Sequence, residues 1–177
     1  VLRVAARNID DAAALSVLDT VERRISAVGT LHSELMGSKG RNTVDTKPYL
    51  DRVVQLLADV APDHVAINVT AEDVALDARK ASALGMIVSE FVANSIKHAF
   101  PEDRAGKIKI SLRRQVETDG WLLECRDNGR GHGGTVAGAD STGLGRMLMS
   151  TATEQLNGRL TTDFGADGAL MRVCFRA

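Results

Sequence analysis

One stretch of the chain places a carboxylate, an amide, an ammonium and an imidazole at helical spacing: Glu90, Asn94, Lys97 and His98. Residues four apart stack on one side of a helix, so Glu90 lies over Asn94, and Asn94 over His98. The set suits a magnesium–triphosphate site. An amide oxygen can ligate a hard cation, a carboxylate can orient it or take a proton, and an ammonium can neutralise phosphate. Alone, these residues would pass for a solvated helix face. A second cluster, Asp127-Asn128-Gly129-Arg130-Gly131, follows an alternating run. A carboxylate there can accept from an exocyclic amine such as adenine N6, and spaced glycines let backbone approach a flat ring. Alone, it is also good turn chemistry. A third cluster, Gly143-Leu144-Gly145, opens a predicted helix, where backbone N–H groups point at an anion. It matches neither the P-loop nor the dinucleotide fingerprint. A glycine-capped flexible loop is its plain alternative.

Several elements must position these groups. Leu18, Val21, Ile25, Val28, His32 and Leu35 alternate in steps of three and four, which predicts a long helix over 10–36 with a heptad seam. Residues 37–42 read as a loop. A second helix starts at Asp45 or Thr46, tolerates Pro48 in its first turn, and turns Leu50, Val53, Val54 and Leu57 to one side. The two helices suggest an antiparallel hairpin. Strands follow at 65–69 and 74–76, then a helix over 78–99 with Leu84, Ile87, Val88, Phe91 and Val92 inward. Residues 108–112 and 121–126 alternate like paired strands, 129–143 form a loop, and a helix runs from about 145 to 156. Residues 159–162 and 170–175 close the chain as a hairpin. The expected fold class is α+β: a helical hairpin over 1–61, then an α/β sandwich over 62–177 with a mixed, mostly antiparallel sheet and helices on one face.

Composition removes other classes. The chain has 177 residues, 44% of them hydrophobic, which excludes disorder, and only 3% aromatic, so the core must be aliphatic. A net charge of -1 gives no field for nucleic acid and no polybasic face for membranes. No apolar run is long enough to span a bilayer, and no signal peptide is evident. Cys125 and Cys174 have no metal-ligand spacing, and both lie in strand-like apolar runs. Two buried free thiols in a reducing, cytoplasmic setting are expected. The chain opens on Val1, which suggests a piece of something longer.

The order of the three clusters is more specific than any one of them. Ser89-Glu90-Phe91-Val92-Ala93-Asn94-Ser95-Ile96-Lys97-His98-Ala99-Phe100, then two strands, Asp127–Gly131, a loop, and Gly143–Gly145 opening a helix resemble the ATP-binding domain of the GHKL superfamily. That group includes sensor histidine kinases, Hsp90, type II topoisomerases and MutL. The Lys-His-Ala-Phe ending resembles the N box of the HisKA_2/HWE-like histidine kinases, and Gln155–Leu160 resembles their run into the penultimate strand. The resemblance covers nearly the whole chain. It implies that Asn94 ligates Mg²⁺ and that Glu90 is the catalytic acid that prepares the attacking histidine or water. Lys97 and His98 would lie near the phosphates and Asp127 on adenine, flanked by Gly129 and Gly131. Residues 132–142 would form a short ATP lid, with Gly143, Leu144 and Gly145 against the phosphates.

Two departures stand out. The last box of the family carries Gly-Thr where this chain has Gly168-Ala169, so a hydroxyl contact to an adenine-bound water is missing and weaker nucleotide affinity is expected. The branch's phosphoacceptor motif, His-Arg-x-Lys-Asn, is absent, and Val1–Arg7 resembles the end of the helix that would carry it. His32 sits on the heptad seam and reads as a packed histidine. The expected protein is therefore the ATP- and Mg²⁺-using catalytic core of a sensor histidine kinase, with its acceptor upstream of Val1. It would serve a response-regulator receiver domain and pair helices within one chain or as a homodimer. A kinase-like adaptor that docks a regulator without ATP is the alternative, disfavoured by intact boxes. An anti-sigma-type serine kinase is disfavoured by the hairpin and the Lys-His-Ala-Phe ending.

Overall fold

The computed structural model describes residues 43–59, 61–100, 104–131 and 143–177. Helix 10–36, the loop at 37–42, His32, His132 and the lid at 132–142 lie outside them. The described elements are β1 (Thr43–Asp45), α1 (Thr46–Ala58), β2 (Val65–Ala71), β3 (Ala75–Asp77), α2 (Ala78–His98), β4 (Gly106–Gln115), β5 (Gly120–Asp127), α3 (Gly143–Gln155), β6 (Arg159–Gly165) and β7 (Gly168–Phe175).

Strands β2 and β4 pair in parallel, and a parallel pair requires a crossover. Helix α2 supplies it, which lays the helix bearing Glu90 and Asn94 across one face of the sheet. The remaining pairs are antiparallel, giving the order β2-β4-β5-β7-β6. The sheet is mixed and mostly antiparallel, as expected.

Its faces separate by alternation. Ile108, Ile110, Leu112, Leu123, Cys125, Met171, Val173 and Phe175 are buried on the helix side, while Lys107, Lys109, Arg126 and Arg172 are exposed on the other. The α2 stripe of Leu84, Ile87, Val88, Phe91 and Val92 is buried against this aliphatic layer. Each such side chain contributes about 1.5–3 kcal/mol by leaving water. Asp77 begins α2 by accepting from Lys80 N at 2.8 Å, a standard N-terminal cap.

The short strand β1 was not foreseen. It pairs antiparallel with β3, and Thr46 donates both its N–H and its Oγ1 hydroxyl to the Val74 carbonyl, at 3.0 and 2.6 Å. This long-range anchor replaces a local cap: Asp45 holds the N-cap position of α1 without a side-chain cap bond. Helix α1 was expected as the second arm of the hairpin domain 1–61. By packing it sits with the sheet, in the compact unit Gly40–Ala177, because its Tyr49, Leu50, Val53 and Val54 face is buried and the helix contacts β2 and α2. The Tyr49 hydroxyl lies against Gly85 of α2, and burial pushes its pKa up.

One expectation about the cysteines needs correction. Cys125 is buried, but Cys174 is exposed, because β7 alternates and turns position 174 to the open face. Burial also pushes the Cys125 thiol up, away from its reactive thiolate form. Iodoacetamide is therefore expected to label Cys174 alone in the native protein and both thiols after unfolding. Two labels under native conditions, counted by mass spectrometry, would contradict this packing.

Candidate nucleotide site

Helix α2 carries two clusters, one at each side of the Asn94–Ser95 peptide. The first is polar and lies near α3. Asn94 Nδ2 donates to Glu90 Oε1 at 3.1 Å. Glu90 is only 4% exposed. A Cβ on Gly145 would stand 2.5 Å from that same Glu90 oxygen. The first turn of α3 thus comes so close to Glu90 that a side chain at 145 would have to push the carboxylate aside. The start of α3, where helix N–H groups lack partners from a preceding turn, therefore lies beside an amide and a carboxylate. With Nδ2 committed to Glu90, the Asn94 carboxamide keeps its Oδ1 as an acceptor for a hard cation. These groups fit Mg²⁺ held by one amide oxygen and by phosphate. Among the described residues no group of three His, Cys, Asp or Glu side chains could hold a metal by itself.

The second cluster centres on Asp127, the last residue of β5 and only 2% exposed. Its Oδ1 accepts from Gly129 N at 2.9 Å and from Ala169 N at 3.2 Å. Its Oδ2 accepts from the Ser95 hydroxyl at 2.8 Å. The carboxylate therefore ties together three elements: α2, the loop after β5, and the start of β7. Asn128 holds the strand end from the other side. It donates its N–H to the Lys107 carbonyl, and its Oδ1 accepts from Lys107 N.

The glycines serve this closeness. A Cβ on Gly129 would stand 2.6 Å from the Ala99 carbonyl oxygen, so the loop lies directly on the end of α2. Gly131 has φ +61, in the left-handed region, and abuts the Gly165 carbonyl. Between them Arg130 clips the loop to α2, its N–H donating to the Ala99 carbonyl at 3.0 Å and its Nε to the His98 carbonyl at 3.1 Å.

The predicted site residues thus divide. Glu90, Asn94 and Gly145 come together, and Asp127, Gly129 and Gly131 come together a turn further along α2. Gly143 and Leu144 open α3 as expected. Lys97 is exposed and makes no bond to either cluster, while His98, half-buried, gives its carbonyl to Arg130. At the Gly168-Ala169 departure, the Ala169 backbone N–H donates to Asp127. Sequence spacing does not single out Ser95, which the structure joins to the Asp127 cluster. Its signal was a small hydroxyl inside the apolar side of a long helix, where a serine has little reason to be without a buried partner.

This sheet, crossover helix and glycine-lined carboxylate define a known class. The chain belongs to the histidine kinase-, DNA gyrase B- and HSP90-like ATPase family, whose model matches residues 79–176. A histidine kinase family model, HisKA_2, matches residues 1–61 and so takes in α1. Sensor histidine kinase PdtaS of Mycobacterium tuberculosis is 30% identical over 165 residues, covering 90% of this chain and 32% of that protein. Blue-light-activated histidine kinase 2 of Erythrobacter litoralis is 26% identical over 164 residues, covering 89% of this chain and 47% of that protein. The chain spans about a third to a half of the length of these curated relatives. Among solved structures, the histidine kinase domain of the Erythrobacter litoralis EL346 blue-light activated kinase superposes with TM-score 0.75 at 21% identity, over 87% of this chain and 73% of that one. Acinetobacter baumannii histidine kinase AdeS shares the fold at TM-score 0.61 and 16% identity, over 92% and 79%. Nucleotide binding follows from the family. No described helix is long and apolar enough to cross a membrane.

Proposed function

We propose that this chain is the ATP-binding catalytic core of a cytoplasmic two-component sensor histidine kinase, moving the γ-phosphoryl group of ATP to a histidine for onward transfer to a response-regulator aspartate. The observation that carries the nucleotide half is the buried Asp127 network: a carboxylate fixed by Gly129, Ala169 and Ser95 that retains one acceptor direction for an exocyclic amine. The resemblance of residues 1–61 to the histidine kinase family supports the transfer half and a homodimer built on helix pairing.

In this reading Asp127 accepts from adenine N6, with the ring over the Gly129–Gly131 backbone. The N-terminus of α3 receives the phosphates through its N–H groups. Asn94 Oδ1 holds Mg²⁺, which when bound neutralises phosphate oxygens. Glu90 is placed to draw the proton from an attacking imidazole, and its hydrogen bond from Asn94 fixes its orientation. Lys97, exposed at the last turn of α2, adds positive charge near the phosphates. The domains divide by role: residues 1–61 for pairing and acceptor presentation, and 62–177 for ATP, with α1 packed on the ATP side.

Calorimetric titration with Mg²⁺ and ATP tests this directly. Saturable binding is expected below about 1 mM. Incubation of the same 177 residues with γ-labelled ATP is expected to leave the chain unlabelled. Absence of binding at millimolar nucleotide would move the protein to the adaptor reading, and acid-labile phosphate on this chain would show that it carries its own acceptor.

A further inference from the structure

We infer that Ser95 is a positioning residue for base recognition: its hydroxyl orients Asp127 so that the carboxylate's one remaining acceptor direction serves a 6-amino purine. This rests on the ATP reading above.

The case begins with where a hydroxyl belongs in a helix. A serine inside a helix usually bonds back to its own previous turn or points to water. Ser95 does neither. It is buried in α2, and its single O–H donates across 32 positions of sequence to Asp127 Oδ2 at 2.8 Å. A carboxylate offers about four acceptor directions. Gly129 N and Ala169 N take two on Oδ1, and Ser95 takes one on Oδ2. One direction on Oδ2 is left among the described residues. The two backbone donors hold Oδ1, but they do not decide which side of Oδ2 stays open. Ser95 does.

A consequence follows for α2. Neighbouring residues of one helix serve opposite ends of the nucleotide, Asn94 the phosphate end and Ser95 the base end. Any shift of α2 moves both together.

The test compares ATP with purine riboside triphosphate, which carries hydrogen in place of the 6-amino group. Affinities of wild type, Ser95→Ala and Ser95→Cys are measured with Mg²⁺ by calorimetry, beside a thermal melt of each protein. Ser95→Ala is expected to weaken ATP by about tenfold, because the Asp127 carboxylate is no longer held in the orientation that meets the amine, and to leave the analogue within about twofold. Ser95→Cys keeps a heteroatom at the position but has only a weak S–H donor, so it is expected to weaken ATP selectively as well. It also gives a reading if the alanine variant does not fold. Equal weakening of both ligands would make Ser95 a purely structural residue and overturn the inference, as would no change in either. Failure of the wild type to bind ATP would instead remove the ATP reading, and the inference with it.

Discussion

Asp127→Asn is expected to lower ATP affinity by about 100-fold or more while leaving the melting temperature within a few degrees of wild type. The asymmetry comes from the hydrogen bonds around the side chain. An asparagine keeps Oδ1, so the Gly129 and Ala169 N–H groups stay satisfied. Its new Nδ2 donates to Ser95 Oγ, which can turn its own proton aside. The second Nδ2 proton then points where the adenine amine must come. Two donors face each other, and a bond to a charged acceptor is lost, a penalty of about 3 kcal/mol or about 100-fold. The same donor suits a 6-oxo purine, so the preference for ATP over inosine triphosphate is expected to narrow. Asp127→Ala separates the two roles. It removes the acceptor from the Gly129 and Ala169 N–H groups and from the Ser95 hydroxyl, and a buried orphaned donor costs about 1–3 kcal/mol, so affinity and stability should fall together. Calorimetry and a thermal melt on the two variants decide the matter. An Asp127→Asn protein that binds ATP like wild type would sink the adenine assignment.

The Lys-His-Ala-Phe run shows how a motif can be legible while its meaning is not. Its four residues look like one functional signature, and the sequence assigned Lys97 and His98 to the phosphates. The structure gives the clearest packing roles to the other two. Ala99 is the surface on which Gly129 rests, and the Phe100 ring lies against Gly106, where β4 begins. The motif therefore sets the floor of the loop after β5 and the exit of the crossover helix. Composition of a four-residue string does not distinguish a side chain that meets a ligand from one that meets a glycine.

Elements with strong period were readable, and so were the ends of α2 and the two hairpins. What escaped was long-range. β1 is three residues long and exists because β3 and Val74 are there to receive it. The apolar face of α1 was legible, but a helical stripe names no partner, so its contacts with β2 and α2 were not. Cys174 lies in an apolar run, yet one residue of register turns it to the open face. Ser95 could be counted as a helix residue but not paired with Asp127, because the bond spans two strands and a turn. In the candidate site, the spacing that sets Glu90 beside Asn94 and Asp127 beside Gly129 was legible, because those neighbours are close in sequence. The Ser95 contact with Asp127 was not, because only tertiary packing brings it about.

Gly168→Ala is expected to be strongly destabilising, and Gly165→Ala, three residues earlier in the same hairpin, close to harmless. The two glycines pair across the turn between β6 and β7, so composition treats them alike. Their surroundings differ. Gly168 has φ +120, a conformation that L residues rarely adopt, and its missing Cβ would collide with the Asp127 carbonyl oxygen and stand 2.9 Å from Asp127 Oδ1. Those atoms cannot swing away, because they belong to β5 and to the carboxylate network. Backbone strain of about 1–3 kcal/mol adds to about 1–3 kcal/mol of overpacking, so a loss of roughly 3 kcal/mol or more is expected, with a melting temperature lower by about 10 °C. Any relief pushes the start of β7 outward and draws the Ala169 N–H off Asp127, so nucleotide affinity should fall with stability. At Gly165 the nearest atom to an added Cβ is Asp167 N at 4.0 Å, ordinary contact distance. There the smaller entropy of the unfolded alanine chain is expected to leave stability unchanged or raise it by about 0.5 kcal/mol. Paired melts of the two variants give the comparison. Equal losses would mean that the hairpin tolerates or rejects any side chain at its turn, and that the contact of Gly168 with Asp127 does not hold the Asp127 cluster together.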